Sequence, residues 1–407
     1  MCLTNNKDKK IFVLLLMGVA LVLMIIYGYT VRNSLLITGP KYLDWPTDQA
    51  PHHQRGISIN EKNLRNFAKQ DKFKLLKFDV SKNHIFVYLH MQKTGGTTIE
   101  KKLSTNLFEP HCDCKKVSKN ARLICDCLRD NKEVWLVSRY TRLPNRGWPC
   151  GVHADWTELH ACVPKLITKL YGRNPNRKFL YITQLRSPVS RFVSEFRNSQ
   201  RGATWRKSEH KCKGKYADEK DLYCYKGDSW KGVSLQEFIT CNKNLAINRQ
   251  TRMLSDLELV NCYNRSSMSK ARRDRTMLHS AMKNLMSMPF FGLVERPSES
   301  QFLFEKTFSL KFTEQWMLLD AGYASIYMVN ISQAEVKKME EINHLDIALH
   351  HFAEILFQQR LDYVMKMFNE KPLKTVVTEN QKGGNVLRNN WKRISQKNSI
   401  QKGKKSS

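Results

Sequence analysis

The stretch Ile85-Phe86-Val87-Tyr88-Leu89-His90-Met91-Gln92-Lys93-Thr94-Gly95-Gly96-Thr97-Thr98 decides how this chain is read. Its first five residues are β-branched, aromatic or aliphatic, the composition of a buried strand. The strand runs into two adjacent glycines, and a helix is expected to start near Thr97. Glycines let backbone N–H groups come close to an anion, and the unpaired N–H groups and dipole of the helix start point to the same place. Residues His90 to Thr98 are therefore a candidate phosphate cradle, with Lys93 adding a point charge. In the usual nucleotide-triphosphate loop the lysine follows the last glycine and a hydroxyl follows the lysine. Here Lys93 comes first, and Gly95, Gly96, Thr97 and Thr98 follow. A tight strand-to-helix connection would also use two glycines; the flanking Lys-Thr and Thr-Thr favour the anion.

The rest of the chain sets the compartment. It has 407 residues, 41% of them hydrophobic, which excludes a disordered polymer. Ile11 to Val31 carries no charge for 21 residues, long enough to cross a bilayer core of roughly 30 Å. The run is long for a signal-peptide core and no small-x-small cleavage pattern follows Tyr29, so an uncleaved anchor is expected. Lys7, Lys9 and Lys10 precede it and only Arg32 follows closely, which leaves the N-terminus cytosolic. The expected layout is a cytosolic tail (1–10), a transmembrane signal anchor (11–31), a stem (32–76), a lumenal domain (77–369) and a basic, flexible tail (370–407).

Of eleven cysteines, Cys2 would face the cytosol, leaving an even ten for an oxidising compartment. A zinc site from Cys112-x-Cys114 and Cys125-x-Cys127 is the competing reading, but C-x-C is not the usual finger spacing. Asn264-Arg-Ser266 and Asn330-Ile-Ser332 are glycosylation sequons, usable only in the lumen. The net charge is +31, and removing the last 27 residues, with eight basic and no acidic side chains, leaves +23. A lumenal domain this basic should meet a polyanion, there a sulfated glycan or an anionic surface rather than nucleic acid.

A second strand-to-helix unit follows: Phe179 to Leu185 as strand, Pro188 at a favoured first helical position. Alternating strands and helices imply an α/β fold with a parallel sheet flanked by helices. Arg186 falls at the C-terminal end of that strand, where open sheets collect ligands, and Ser190 and Ser194 lie one turn apart on the next helix. An arginine fork with a hydroxyl suits a second phosphate. Near the end, Ser332 and Glu335 form a capping box, and Val336, Met339, Ile342, Leu345, Leu349, Phe352 and Leu356 recur at the spacing of one long amphipathic helix.

Several ordered motifs then converge. Gln92-Lys93-Thr94-Gly95-Gly96-Thr97-Thr98, Cys150-Gly-Val-His153-Ala-Asp155-Trp156-Thr157-Glu158-Leu159, Leu185-Arg186-x-Pro188-Val189-Ser190-Arg191, Gln200-Arg201-Gly202-Ala203-Thr204-Trp205 and Asn248-Arg249-Gln250-x-Arg252-Met253-Leu254 together resemble the heparan sulfate 6-O-sulfotransferases, over about Phe78 to Tyr363. The resemblance implies a P-loop-like sulfotransferase fold in a Golgi type II enzyme. It implies transfer of a sulfuryl group from 3′-phosphoadenosine 5′-phosphosulfate (PAPS) to the 6-hydroxyl of glucosamine in heparan sulfate, with no metal. By it, His153 is the general base, Lys93 acts on the leaving phosphate, residues 90 to 98 with Arg186 and Ser194 hold the donor, and Arg139, Trp148, His153 and Trp205 line the acceptor cleft. Histidine chemistry fits: a reference pKa near 6.5 leaves the ring largely neutral at working pH. Asp155 and Glu158 are candidates to orient it. The chain departs from the family in carrying Leu123-Ile124 where a lysine pair is usual and Asn198 where a histidine is common, which bears on substrate preference. The alternatives are transfer to another glycosaminoglycan hydroxyl or to tyrosine, and a non-catalytic heparan-sulfate-binding protein.

Overall fold

A computed structural model describes residues 60–116, 118, 123–143, 149–204, 208–218, 222–317 and 331–373. The apolar run 11–31, expected to be an anchor, Trp148, Trp205, Asn330 and the tail beyond 373 lie outside the described residues. Within them no helix is long and apolar enough to cross a membrane.

The first expected strand forms as β1 (His84–Leu89), all six residues buried, and the glycine pair leads straight into α2 (Gly96–Thr105). Before them stands α1 (Glu61–Ala68), capped by the Asn60 side chain. Sequence reading assigned this segment to the stem, and the structure corrects that: Leu64, Phe67 and Ala68 are buried, with Phe67 tilted against Phe352 at 5.7 Å. The charged residues of α1 cover only its outer face, which hid the apolar stripe.

Next come β2 (Asp113–Lys115) and β3 (Ile124–Asp126), an antiparallel pair, and β4 (Leu136–Val137). Cys112–Cys127 and Cys114–Cys125 bond across that pair, so these thiols are disulfide partners, not zinc ligands. The other described cysteines pair as Cys150–Cys162, Cys212–Cys262 and Cys224–Cys241. Then follow α3 (Trp156–Tyr171), β5 (Lys178–Leu185), α4 (Pro188–Gln200) with Pro188 at its first turn, and a small hairpin of β6 (Lys211–Cys212) and β7 (Lys215–Tyr216). The C-terminal part carries α5 (Leu235–Thr240), α6 (Arg249–Leu254), α7 (Lys270–Ser287), β8 (Phe290–Leu293), α8 (Pro297–Phe308), α9 (Gln333–Ile342) and α10 (His344–Phe368).

The main sheet is parallel throughout, in the order β4-β1-β5-β8. After β1 the chain adds β4 on one side, then crosses to add β5 on the other and β8 beyond it. The order therefore reverses between β1 and β5, and such a switch opens a crevice at the C-terminal ends of the two strands. Leu89 and Thr183 mark that edge, paired in register and tied by the Thr183 hydroxyl donating to the Leu89 carbonyl at 2.8 Å. Phe78, Phe86, Phe304 and Phe308 pack beneath the sheet, Phe78 stacked on Phe86 at 4.3 Å.

The capping box of Ser332 and Glu335 is present, but the long helix it was expected to open is two helices. The break is at Asn343, a buried amide that donates to the Met339 carbonyl at 2.9 Å and accepts from the Asn248 N–H at 3.0 Å. A side chain serving two backbone segments competes with helix continuity.

Candidate active site

The loop at the end of β1 is tight for identifiable reasons. Gly95 sits at φ 75° as the residue before α2, in the left-handed region that glycine occupies without strain. Gly96 is required for space: a Cβ there would stand 3.0 Å from both Cδ2 and Nε2 of His90. Gln92 is 1% exposed, and neither oxygen nor nitrogen of its amide is hydrogen-bonded among the described residues. Buried polar atoms left in this state signal a missing ligand or water. Lys93 is half-buried at φ 67°, and burial, then the Arg186 charge, lower its pKa.

Arg186, at the end of β5, is brought to the same loop, where its guanidinium donates to the Lys93 carbonyl at 3.2 Å. Its backbone is clasped from the other side by Gln250, which accepts from the Arg186 N–H and donates to the Arg186 carbonyl, each at 2.9 Å. Gln250 is itself fixed because Asp346 accepts from the N–H groups of Gln250 and Thr251 at 3.1 and 2.8 Å. Beside it, Glu195 is fully buried between Arg191 and Arg249; burial alone would raise its pKa, but Arg249 and Arg191 hold it down to about 2. Ser194 is buried on the same α4, one residue from this ionic cluster.

His153 stands over the loop. Its ring meets that of His90 edge-on, centroids 4.8 Å apart, and its Nδ1 lies 3.2 Å from the His90 carbonyl oxygen. A carbonyl only accepts, so Nδ1 carries the proton and Nε2 the lone pair. Burial, then the neighbouring His90, push the His153 pKa down to about 3, which keeps the ring neutral across the physiological range. Asp155 and Glu158 do not orient it. Asp155 caps α3 through the Glu158 N–H, and the Glu158 carboxylate returns to the Asp155 N–H at 2.8 Å. Burial raises both pKa values, and Asp155 raises that of Glu158 further.

The residue that organises this corner is Glu100. Its carboxylate binds the buried His90 ring through Nδ1 and accepts from the Arg139 N–H at 2.9 Å. The Arg139 side chain in turn donates to the Thr97 hydroxyl at 2.8 Å. One carboxylate therefore ties together the phosphate loop, the histidine support and a cation expected to face the acceptor. Glu100 was not singled out in the sequence. The signal was present, since it lies in the buried row of Gly96, Ile99, Leu103 and Ser104, where a carboxylate needs a partner.

The sequence model of the sulfotransferase family matches residues 76–353. The chain belongs to the sulfotransferase family. Heparan-sulfate 6-O-sulfotransferase 1 of Cricetulus griseus is 42% identical over 362 residues, covering 86% of both chains. Heparan-sulfate 6-O-sulfotransferase 2 of Gallus gallus is 45% identical over 304 residues, covering 74% of this chain and 73% of the relative. Heparan-sulfate 6-O-sulfotransferase 3 of Homo sapiens is 43% identical over 312 residues, covering 75% and 64%.

In this sulfotransferase, Lys93, residues 94 to 98, Arg186, Arg139 and His153 converge on the switch between β1 and β5. Ser194 packs one helix turn behind Ser190, and the two tryptophans expected in the acceptor cleft, Trp148 and Trp205, lie outside the described residues. Of the sequons, Asn264 is exposed, its side-chain oxygen accepting from the Ser266 N–H at 3.1 Å. Among the described residues no group of three or more His, Cys, Asp or Glu is placed to hold a metal.

Proposed function

We propose that this chain transfers a sulfuryl group from PAPS to the 6-hydroxyl of glucosamine residues in heparan sulfate. The observation that carries the reading is the seat of His153. A histidine fixed by the His90 carbonyl in the Nδ1–H form, beside a lysine-first phosphate loop, suits proton removal next to a phosphate leaving group. The donor fits the loop on this chain's own features: the unsatisfied Gln92 amide, the left-handed turn at Gly95 and the N–H groups of residues 94 to 97 at the start of α2. PAPS supplies an activated sulfuryl group on its 5′-phosphate and a separate 3′-phosphate as a handle.

His153 Nε2 takes the proton of the acceptor hydroxyl as that oxygen bonds to sulfur. Lys93 and the loop N–H groups stabilise the negative charge that grows on the phosphate oxygen when its bond to sulfur breaks. Arg186, held by Gln250, and Ser194 serve the remote 3′-phosphate. Arg139, Trp148, His153 and Trp205 receive the glycan, the arginine pairing with sulfate or carboxylate and the indoles stacking on sugar rings. The relatives' names support heparan sulfate as the acceptor. The apolar run 11–31, the paired cysteines and the sequons Asn264 and Asn330 support a Golgi single-pass type II protein with a lumenal catalytic domain.

The test is incubation of the full chain with sulfur-labelled PAPS and desulfated heparin. Label should enter the polymer and depend on Lys93. A chain that binds heparin yet moves no label would be a binding protein, and one that hydrolyses ATP would show the loop misread.

A further inference from the structure

A cavity of about 740 Å³ lies against the β6–β7 hairpin, and none of the chemistry above uses it. The hairpin and the loop 261–266 form its walls, joined by the Cys212–Cys262 disulfide. Sites for organic ligands span roughly 300–1,000 Å³, so this is a ligand-sized space. Among the described residues its lining is mainly cationic: Lys213, Lys215, Lys243 and Arg265, all exposed, with the carboxylate of Asp218. A lining rich in exposed ammonium and guanidinium groups attracts a polyanion.

The wall also offers an aromatic surface. Tyr216 is 65% exposed, with the Lys211 ammonium 4.9 Å from its ring centre. An exposed aromatic ring flanked by cations is a platform for a sugar ring carrying acidic groups. The cavity is tied to the reaction site through Tyr263, which lines it and donates to Asp155 at 3.1 Å, two residues after His153.

We propose that this cavity is a second binding site for a sulfated or carboxylated polysaccharide, holding the polymer at residues separate from the acceptor cleft. The proposal rests on the reaction assigned above. A chain captured there meets the cleft as an intramolecular partner, so acceptors long enough to span both sites gain affinity and short ones do not. Asn264 lines the same cavity, so an N-glycan on it would stand at the rim.

The test uses the full chain carrying Asn264→Gln, so that no glycan covers the rim, with and without the pair Lys215→Glu and Lys243→Glu. The pair should raise KM for long heparan sulfate about tenfold, while kcat and the kinetics of a hexasaccharide acceptor stay within about twofold. Equal changes for both acceptors, or no change for either, would overturn the proposal while leaving the reaction assignment standing. If no acceptor is sulfated by either protein, that assignment fails, and heparin binding then decides the cavity. A roughly tenfold weaker Kd in the double variant supports the site, and an unchanged Kd, or displacement of heparin by polyglutamate at equal concentration, removes it.

Discussion

Adding one methyl group at Gly96 should damage both stability and turnover, and by amounts the packing sets. The new Cβ would lie 3.0 Å from Cδ2 and Nε2 of His90 and 3.2 Å from Cε1 of Tyr88. Carbon atoms prefer separations of about 3.5–4.0 Å, so roughly 0.5 Å or more must be taken up by movement. Tyr88 and His90 are 3% and 5% exposed, and His90 is tethered to Glu100, so neither ring can swing into solvent. Overpacking of this kind costs about 1–3 kcal/mol, which for a folded unit of roughly 300 residues lowers Tm by about 2–5 °C. The displaced His90 also carries the carbonyl that holds His153. Misplacing a reacting group by about 1 Å can cost about a hundredfold, so kcat/KM for Gly96→Ala should fall by about 10- to 100-fold. Differential scanning fluorimetry and initial rates of sulfate transfer measure both. A variant with Tm within 1 °C and kcat/KM within about twofold of the parent would refute the idea that a close-packed glycine positions the base.

His153→Ala should lower kcat by about 10²- to 10⁴-fold while calorimetric binding of adenosine 3′,5′-bisphosphate stays nearly unchanged; retained turnover would remove it as base. Lys93→Ala should weaken that binding and slow the rate together, since its charge serves both. The depressed pKa of His153, about 3, means that the neutral base is still present at pH 5, so kcat/KM should change less than about twofold between pH 7 and 5. A histidine of ordinary pKa near 6.5 would lose about 25-fold over that range, and an acid limb near pH 6.5 would contradict the assigned seat. Glu195→Ala leaves Arg191 and Arg249 buried without their shared carboxylate and should cost about 3–5 kcal/mol in urea unfolding. A loss under about 1 kcal/mol would show that cluster to be dispensable.

The parts of the site that are local in sequence could be read before the structure was known. The strand before His90, the helix start after Gly95, Pro188 opening α4 and the Ser332–Glu335 box all depend on residues within a few positions of one another. What escaped depends on register between distant segments. Glu100 reaches back ten positions to the His90 ring and forward 39 to the Arg139 N–H just past β4, contacts that only the fold brings together. Gln250 belonged to a recognised motif, yet its clasp on Arg186 spans 64 positions. The support of His153 was sought among nearby carboxylates, whereas it is a main-chain carbonyl 63 positions away, a group that every residue carries and no sequence pattern marks. Asn343 broke a continuous helical pattern for the same reason: its partner, Asn248, is remote.

The central claim is the position of the transferred group. After incubation of the full chain with labelled PAPS and desulfated heparin, heparin-lyase digestion and disaccharide analysis should place the new sulfate on the 6-oxygen of glucosamine. Label on the 2-oxygen of the uronic acid, on the 3-oxygen or nitrogen of glucosamine, or on tyrosine would contradict it.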